Sequence, residues 1–389
     1  MFKRIQIDRF RSCENVVLDD LGSMTALVGR NGVGKTNVLK AIEWLCQGST
    51  LTAFGGTDAH EERCVTCEIA RGEDVYRYSL RAGLIFRGGA NSPEWLLEES
   101  LSHCVNGGEF ENVFSRTGES LRYGRTGESV QVGATVPAMP ALQAILPSGA
   151  SVLRDIGNVT SFLRACRYHS FSESPQETEL GVVFEEDYKT WLAHHQSTGK
   201  PGNSAFLKLL HMNQEEPALW DELSSLIGSN GLGLVDKIEV GISSLGTNGR
   251  KGSRIYWFQF KPNADSDASF GFDGLSLGTR RALYLLTAVL FDNSTVMLIE
   301  HPEDGVHRGL LRKLVDLLRV YADPCQFILT SHSPVVFDAL SPAQTRLVSM
   351  TGGKTSVRGL SPMERDAASH YLQEEGAMSD FLETVQDER

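Results

Sequence analysis

Residues 29–36 read Gly-Arg-Asn-Gly-Val-Gly-Lys-Thr and meet the spacing G-x-x-x-x-G-K-[ST] at every fixed position. Such a spacing holds an anion. Glycines let successive backbone N–H groups turn inward around a phosphate. A helix starting at that point adds the positive end of its dipole. Lys35 supplies a point charge for β- and γ-phosphates, and Thr36 a hydroxyl for Mg²⁺. Arg30, Asn31, Gly32, Gly34, Lys35, Thr36 and Asn37 are therefore the expected nucleotide contacts.

Three distant segments carry further chemistry, in chain order. In 274-GLSLGTRRALYLLTAVLF-291 a turn-like Leu-Ser-x-Gly opens an apolar helix, so Ser276 and Gly278 form a second helix-start anion site. In 296-VMLIEHPEDG-305 an apolar run ends at Glu300 and His301, just before Pro302. In 326-QFILTSHSPVVFDAL-340 another apolar run ends at Thr330, Ser331 and His332.

These residues need elements to position them. Ala26-Leu27-Val28 reads as a short buried strand, and Val38, Leu39, Ile42 and Leu45 as one stripe of a following helix. Residues 76–86 read as a strand. The pentamer RTGES occurs twice in 116–129, around a short apolar run, and reads as a hairpin whose arginines 116, 122 and 125 are solvated. Helical patterns follow at 151–169, 184–196, 203–212 and 217–228, and strands at 234–244 and 253–260 return to the second lobe. The expected division is 1–135 as a first lobe, 136–235 as a helical insertion, 236–345 as a second lobe and 346–389 as a docking or lid-like tail. No sustained heptad supports long coiled-coil arms.

The chain has 389 residues, 41% hydrophobic and 22% charged, which is ordinary globular composition. No apolar run reaches the roughly 18 residues of a membrane span, and the N-terminus alternates like a strand, so a cytoplasmic protein is expected. Seven scattered cysteines fit reduced thiols; Cys64 and Cys67 read as strand residues, since zinc would need a second ligand pair. A net charge of −12 argues against coating nucleic acid by charge alone.

Taken together, the four motifs in order and the opening 5-IQIDRFRSCENVVLDDLGSMTALVGRNGVGKTNVLKAIEWL-45 resemble the soluble ABC-type P-loop ATPases of the RecF, SMC and OLD branch. The resemblance covers about 1–80 and 255–340. It implies an α/β ABC-type head with a mixed sheet, a β-rich first lobe and a helical insertion. It implies ATP and Mg²⁺, with Lys35 and Thr36 as Walker A, Ser276 and Gly278 as the signature, Glu300 as the Walker B carboxylate and His332 as the switch histidine. It also implies a head-to-tail dimer that sandwiches two ATP molecules. No glutamine fits the Q-loop, because Gln47 follows the loop too closely. About 50 residues follow His332, too few for a TOPRIM nuclease, so any nuclease would be a separate effector protein. A role in DNA repair or anti-phage defence follows by fold-level analogy.

The departure from the family pattern falls on His301, where the catalytic glutamate usually stands. Three readings are open. His301 acts as the base, since a neutral imidazole accepts protons. Or hydrolysis is very slow and ATP holds a switch closed. Or Glu303 reaches in from beyond the proline. Rival functions are a RecF-like ATP-dependent DNA clamp without an effector, and a non-hydrolysing scaffold.

Overall fold

The computed structural model describes residues 1–49, 62–85, 94–171, 181–198, 202, 204–245, 253–263, 268–374 and 376–387. Its strands are β1 (Phe2–Phe10), β2 (Cys13–Leu18), β3 (Met24–Val28), β4 (Arg63–Arg71), β5 (Asp74–Ile85), β6 (Glu94–Val105), β7 (Glu111–Thr117), β8 (Ser120–Tyr123), β9 (Glu128–Gln131), β10 (Cys166–Ser170), β11 (Val182–Phe184), β12 (Lys237–Leu245), β13 (Ser253–Lys261), β14 (Val296–Glu300), β15 (Gln326–Ser331), β16 (Thr345–Thr351) and β17 (Lys354–Gly359). Its helices are α1 (Lys35–Gly48), α2 (Ala138–Ile145), α3 (Ser151–Arg164), α4 (Glu185–Thr198), α5 (Ala205–Glu215), α6 (Pro217–Ile227), α7 (Leu277–Phe291), α8 (Arg308–Val320), α9 (Pro334–Asp338), α10 (Pro362–Gln373) and α11 (Met378–Asp387).

The chain divides into two compact units. The first holds Met1–His169, Thr295–His301 and Ala322–Arg389, and the second Ser170–Ser294 and Pro302–Tyr321.

The first unit is built on a mixed sheet of 14 strands in the order β10-β14-β15-β3-β16-β17-β2-β1-β4-β5-β6-β7-β8-β9. Its two halves follow different rules. β14, β15 and β3 are parallel and buried at every residue, which is why their sequences are mostly apolar and do not alternate. From β4 to β9 the strands pair antiparallel and read as a meander. Helix α1 buries Val38, Leu39, Ile42 and Leu45, the stripe expected from its sequence. This is the mixed-sheet α/β head with a β-rich part that the sequence implied.

The expected division shifts at two places. Helices α2 and α3 bury Met139, Leu142, Ile156 and Val159 in the same core as Phe2, Ile5 and Leu39, so residues 136–169 complete the first unit and are no insertion. Periodicity shows that a helix has an apolar face, and not what covers it. Residues after 345 also extend the sheet: β16 runs parallel to β3, and β17 pairs with β16 and β2. The tail is therefore part of the scaffold beside the loop at 29–34.

The second unit packs α4–α8 around a small antiparallel sheet, β11-β13-β12. Strand β13 lies in the middle of that sheet, pairing with β12 on one side and β11 on the other. Phe206, Leu209, Phe258, Phe272 and Leu286 lie at its core. Lys208 and Asp292 form a buried ion pair there at 2.7 Å. Among the described residues no helix is long and apolar enough to cross a membrane.

Arg116 corrects the picture of a solvated hairpin. It is 2% exposed, and its guanidinium donates to the carbonyls of Gly118, Gly133 and Ala134 at 2.7, 2.8 and 3.2 Å. It lies 3.6 Å from Glu99, which is also buried and accepts from Ala138 N–H at 2.8 Å and Tyr78 O–H at 3.1 Å. Burial outweighs the attraction of Arg116 and raises the Glu99 carboxyl to about 7. A raised carboxyl contributes stability that is present below its ordinary value of 4.5 and is lost as pH rises through about 7. The urea midpoint of wild type should therefore fall between pH 5 and pH 8 by more than that of Glu99→Gln. Removing one partner of a buried pair costs about 3–5 kcal/mol, the loss expected for Arg116→Met in the same experiment.

Candidate nucleotide site

The site starts from the register of three strands. Glu300 of β14 lies beside Thr330 of β15, and Thr330 beside Leu27 of β3. The strands run parallel, so their carboxyl ends open at one level, where α/β sheets bind ligands. The loop from Gly29 to Gly34 leaves β3 at that level and enters α1.

Two glycines of the loop are required by conformation. Gly32 has φ 80° and Gly34 φ 97°, in the left-handed region. A Cβ on Gly34 would also stand 2.0 Å from Thr355 Oγ1. Lys35 is buried, and its ammonium donates to the carbonyls of Gly29 and Arg30 at 2.8 and 2.9 Å. The cation is thus held inside the loop that would wrap a phosphate. Arg30 and Asn31 are exposed at its rim.

A hydroxyl relay stiffens this loop from below. Asn37 donates from Nδ2 to Ser12 Oγ at 2.7 Å, and Ser12 and Thr355 hydroxyls meet at 2.7 Å. Thr355 Oγ1 donates to the Val33 carbonyl at 3.0 Å, which leaves Ser12 as the donor to Thr355. The backbone N–H of Thr355 also reaches Ser12 O at 2.8 Å. Ser12 belongs to the Phe-Arg-Ser of the opening strands. Thr355 was not singled out from the sequence: its nearest chemical neighbour there is 322 positions away.

At the end of β14 both oxygens of Glu300 are taken. Thr36 donates its hydroxyl to Oε1, and Tyr168 of β10 donates to Oε2. The carboxylate is 4% exposed. His301 follows with φ 47°, rare for a residue with a Cβ, and its N–H donates to Thr330 O at 3.2 Å. That turn brings its ring to His332, the residue after β15. The two Nδ1 atoms are 3.3 Å apart and the ring centroids 5.3 Å. Two facing Nδ1 atoms cannot both carry a proton, so at least one accepts.

The first unit thus gathers Lys35, Thr36, Asn37, Glu300, His301 and His332. Ser276, Gly278 and Glu303 belong to the second unit. There Ser276 caps α7, accepting from Thr279 N–H at 3.1 Å. A Cβ on Gly278 would meet the Gly305 carbonyl at 2.7 Å, and Arg281 donates to Asp304 O. The turn after Pro302 is closed by Val306 N–H on Glu303 O at 3.1 Å, and His307 caps α8. Gln47 sits at the far end of α1 and bonds Glu43 at 3.0 Å.

Strand, glycine loop, lysine-led helix and a carboxylate on the neighbouring parallel strands define a P-loop ATPase of the ABC type. The family model described as "AAA domain, putative AbiEii toxin, Type IV TA system" matches residues 24–68 and 190–338. An OLD nuclease of Thermus scotoductus is 51% identical over 43 residues, 11% of this chain and 8% of that protein. The DNA replication and repair protein RecF of Bifidobacterium longum subsp. infantis is 43% identical over 47 residues, 12% of this chain and 11% of RecF. A solved SMC head bound to the C-winged helix domain of ScpA aligns at 12% identity over 94% of this chain and 99% of that one, with a TM-score of 0.46. The chain belongs to the branch of RecF, the SMC proteins and the OLD-type ATPases, and its match spans about a tenth of those two curated relatives.

The relay makes Thr355 testable. Thr355→Val deletes two hydrogen bonds worth about 0.5–1.5 kcal/mol each, so ATP affinity should fall about tenfold. Thr355→Ser should retain it. Titration with a fluorescent ATP analogue reads the affinity, and turnover at saturating ATP should be unchanged.

Proposed function

We propose that this chain binds ATP and Mg²⁺ in the first-unit site and hydrolyses the ATP slowly. Its nucleotide state then controls head-to-tail dimerisation, which gates a separate effector protein such as a nuclease. DNA repair or anti-phage defence in the cytoplasm is the setting that the branch suggests.

The residues suit the metal. Thr36 and Glu300 offer only oxygen, the donor set a hard Mg²⁺ prefers, and they already meet. Bound there, Mg²⁺ would neutralise phosphate charge. Lys35 and the backbone N–H groups of the loop hold the β- and γ-phosphates, and Thr36 and Glu300 hold the metal. In the dimer, Ser276 and Gly278 of one copy address the γ-phosphate bound to the other.

The observation that carries the slow step is the Nδ1 contact between His301 and His332. The base position holds an imidazole, and that imidazole is engaged with the switch histidine. A committed imidazole accepts a proton from water less readily than a carboxylate aimed at it. His332 orients the ring and shares its proton.

Steady-state turnover of His301→Glu, His301→Ala and Glu303→Ala tests this. Loss of a general base costs about 10²–10⁴ in rate, so restoring the glutamate should raise turnover by about 10² or more. His301→Ala should lower the residual rate, and Glu303→Ala should leave it unchanged. Wild-type turnover in His301→Ala removes the histidine from the chemistry. A loss in Glu303→Ala assigns the base to the turn after Pro302.

The similarity to RecF favours a second reading, an ATP-dependent DNA clamp with no effector. It predicts duplex binding that requires ATP and weakens steeply with salt. Gel-shift titrations at two salt concentrations separate the two.

A further inference from the structure

Glu300 has one methylene more than an aspartate, and so one more torsion to fix. Two hydroxyls fix it. Thr36 takes Oε1 directly from the first turn of α1. Tyr168 takes Oε2 from β10, the strand beside β14. The phenol ring is held in turn. The Lys40 ammonium stands 3.6 Å from its centroid, a close cation–π contact. Lys40 lies four residues after Thr36, one turn further along the same face of α1. One helix therefore positions both donors on the carboxylate, one by its own hydroxyl and one through a side chain stacked on a ring. Tyr168 packs on the main hydrophobic core, which limits its other torsions.

From this geometry we infer that Tyr168 is a positioning residue of the metal site: its hydroxyl fixes the Glu300 carboxylate that, with Thr36, receives Mg²⁺. The inference rests on the reading of this pocket as a Mg·ATP site. A partner one bond beyond a metal ligand commonly sets the metal's affinity by about 10–100-fold, because it selects the ligand's rotamer and occupies its second oxygen. Tyr168 does this where Gln47 is turned away at the far end of α1.

The experiment is the Mg²⁺ dependence of ATP binding in the full chain. A fluorescent ATP analogue is titrated in EDTA and at a series of Mg²⁺ concentrations, with wild type, Tyr168→Phe, Glu300→Gln and the double variant. Tyr168→Phe keeps the ring under Lys40 and removes only the hydroxyl. It should bind nucleotide in EDTA like wild type, melt at the same temperature without ligand, and need about tenfold more Mg²⁺ for half-maximal tightening. The double variant should need no more Mg²⁺ than Glu300→Gln alone, because the hydroxyl acts only through that carboxylate. A Mg²⁺ requirement within twofold of wild type in Tyr168→Phe overturns the inference. An equal loss of binding in EDTA or of melting temperature also overturns it, since the hydroxyl would then support the scaffold. If wild type itself shows no response to ATP or Mg²⁺, the reading of the pocket falls, and this inference falls with it.

Discussion

The parallel register of β14, β15 and β3 is the constraint on which the site depends. It sets Glu300, Thr330 and Leu27 side by side, so that three separate chain segments end at one level. A slip of one residue in β14 would turn the Glu300 side chain to the opposite face of the sheet and bring His301 into its place. The register is fixed by burial. Every residue of the three strands is inaccessible, so a slip would strand apolar side chains and backbone groups alike. Gln326 adds a specific pin at the start of β15: its amide exchanges two hydrogen bonds with the backbone of Phe2, at 2.8 and 2.9 Å, and donates a third to Gly22 O at 2.7 Å.

From that register the chemistry follows by adjacency. The loop after β3 must turn back over the strand ends, which Gly32 and Gly34 permit through their left-handed backbone. The helix it enters brings Thr36 onto Glu300 and Lys40 over Tyr168. Thr355 closes the loop from the other side. The hydroxyls of Ser12, Thr36, Tyr168 and Thr355 all brace the pocket.

The sequence carried the fold class, the loop, the helix stripe and Glu300 with its neighbours, because each is a local pattern with one geometric solution. It carried less of what depends on pairing. Helices α2 and α3 have an apolar face in any context, and only the three-dimensional core shows that the face meets β1 and α1. The repeated RTGES looked like a polar ribbon, yet Arg116 is buried because Glu99 and the carbonyls of Gly118, Gly133 and Ala134 answer its charge, and of these only Gly118 lies in the same pentamer. Tyr168 and Thr355 escaped for the same reason, since their partners lie 132 and 322 positions away. The serine of Phe-Arg-Ser was visible, and its use as a relay between Asn37 and Thr355 was not.

His301 shows how a substitution at one position recruits its surroundings. The residue adopts a left-handed backbone that glycine, asparagine or aspartate would adopt more cheaply, at a cost of about 1–3 kcal/mol for such a conformation. That cost is sustained only where neighbours fix the conformation. Here the N–H of His301 bonds the Thr330 carbonyl and its ring meets His332. The contact joins the ends of β14 and β15, the two strands whose register places Glu300. A glutamate at 301 could not make it with a neutral imidazole in the same way, because a carboxylate only accepts and would require His332 to present its Nδ1–H. With histidine at 301 either ring can be the donor, whereas a glutamate there would leave that role to His332 alone. A change at either position of the pair therefore acts on both histidines.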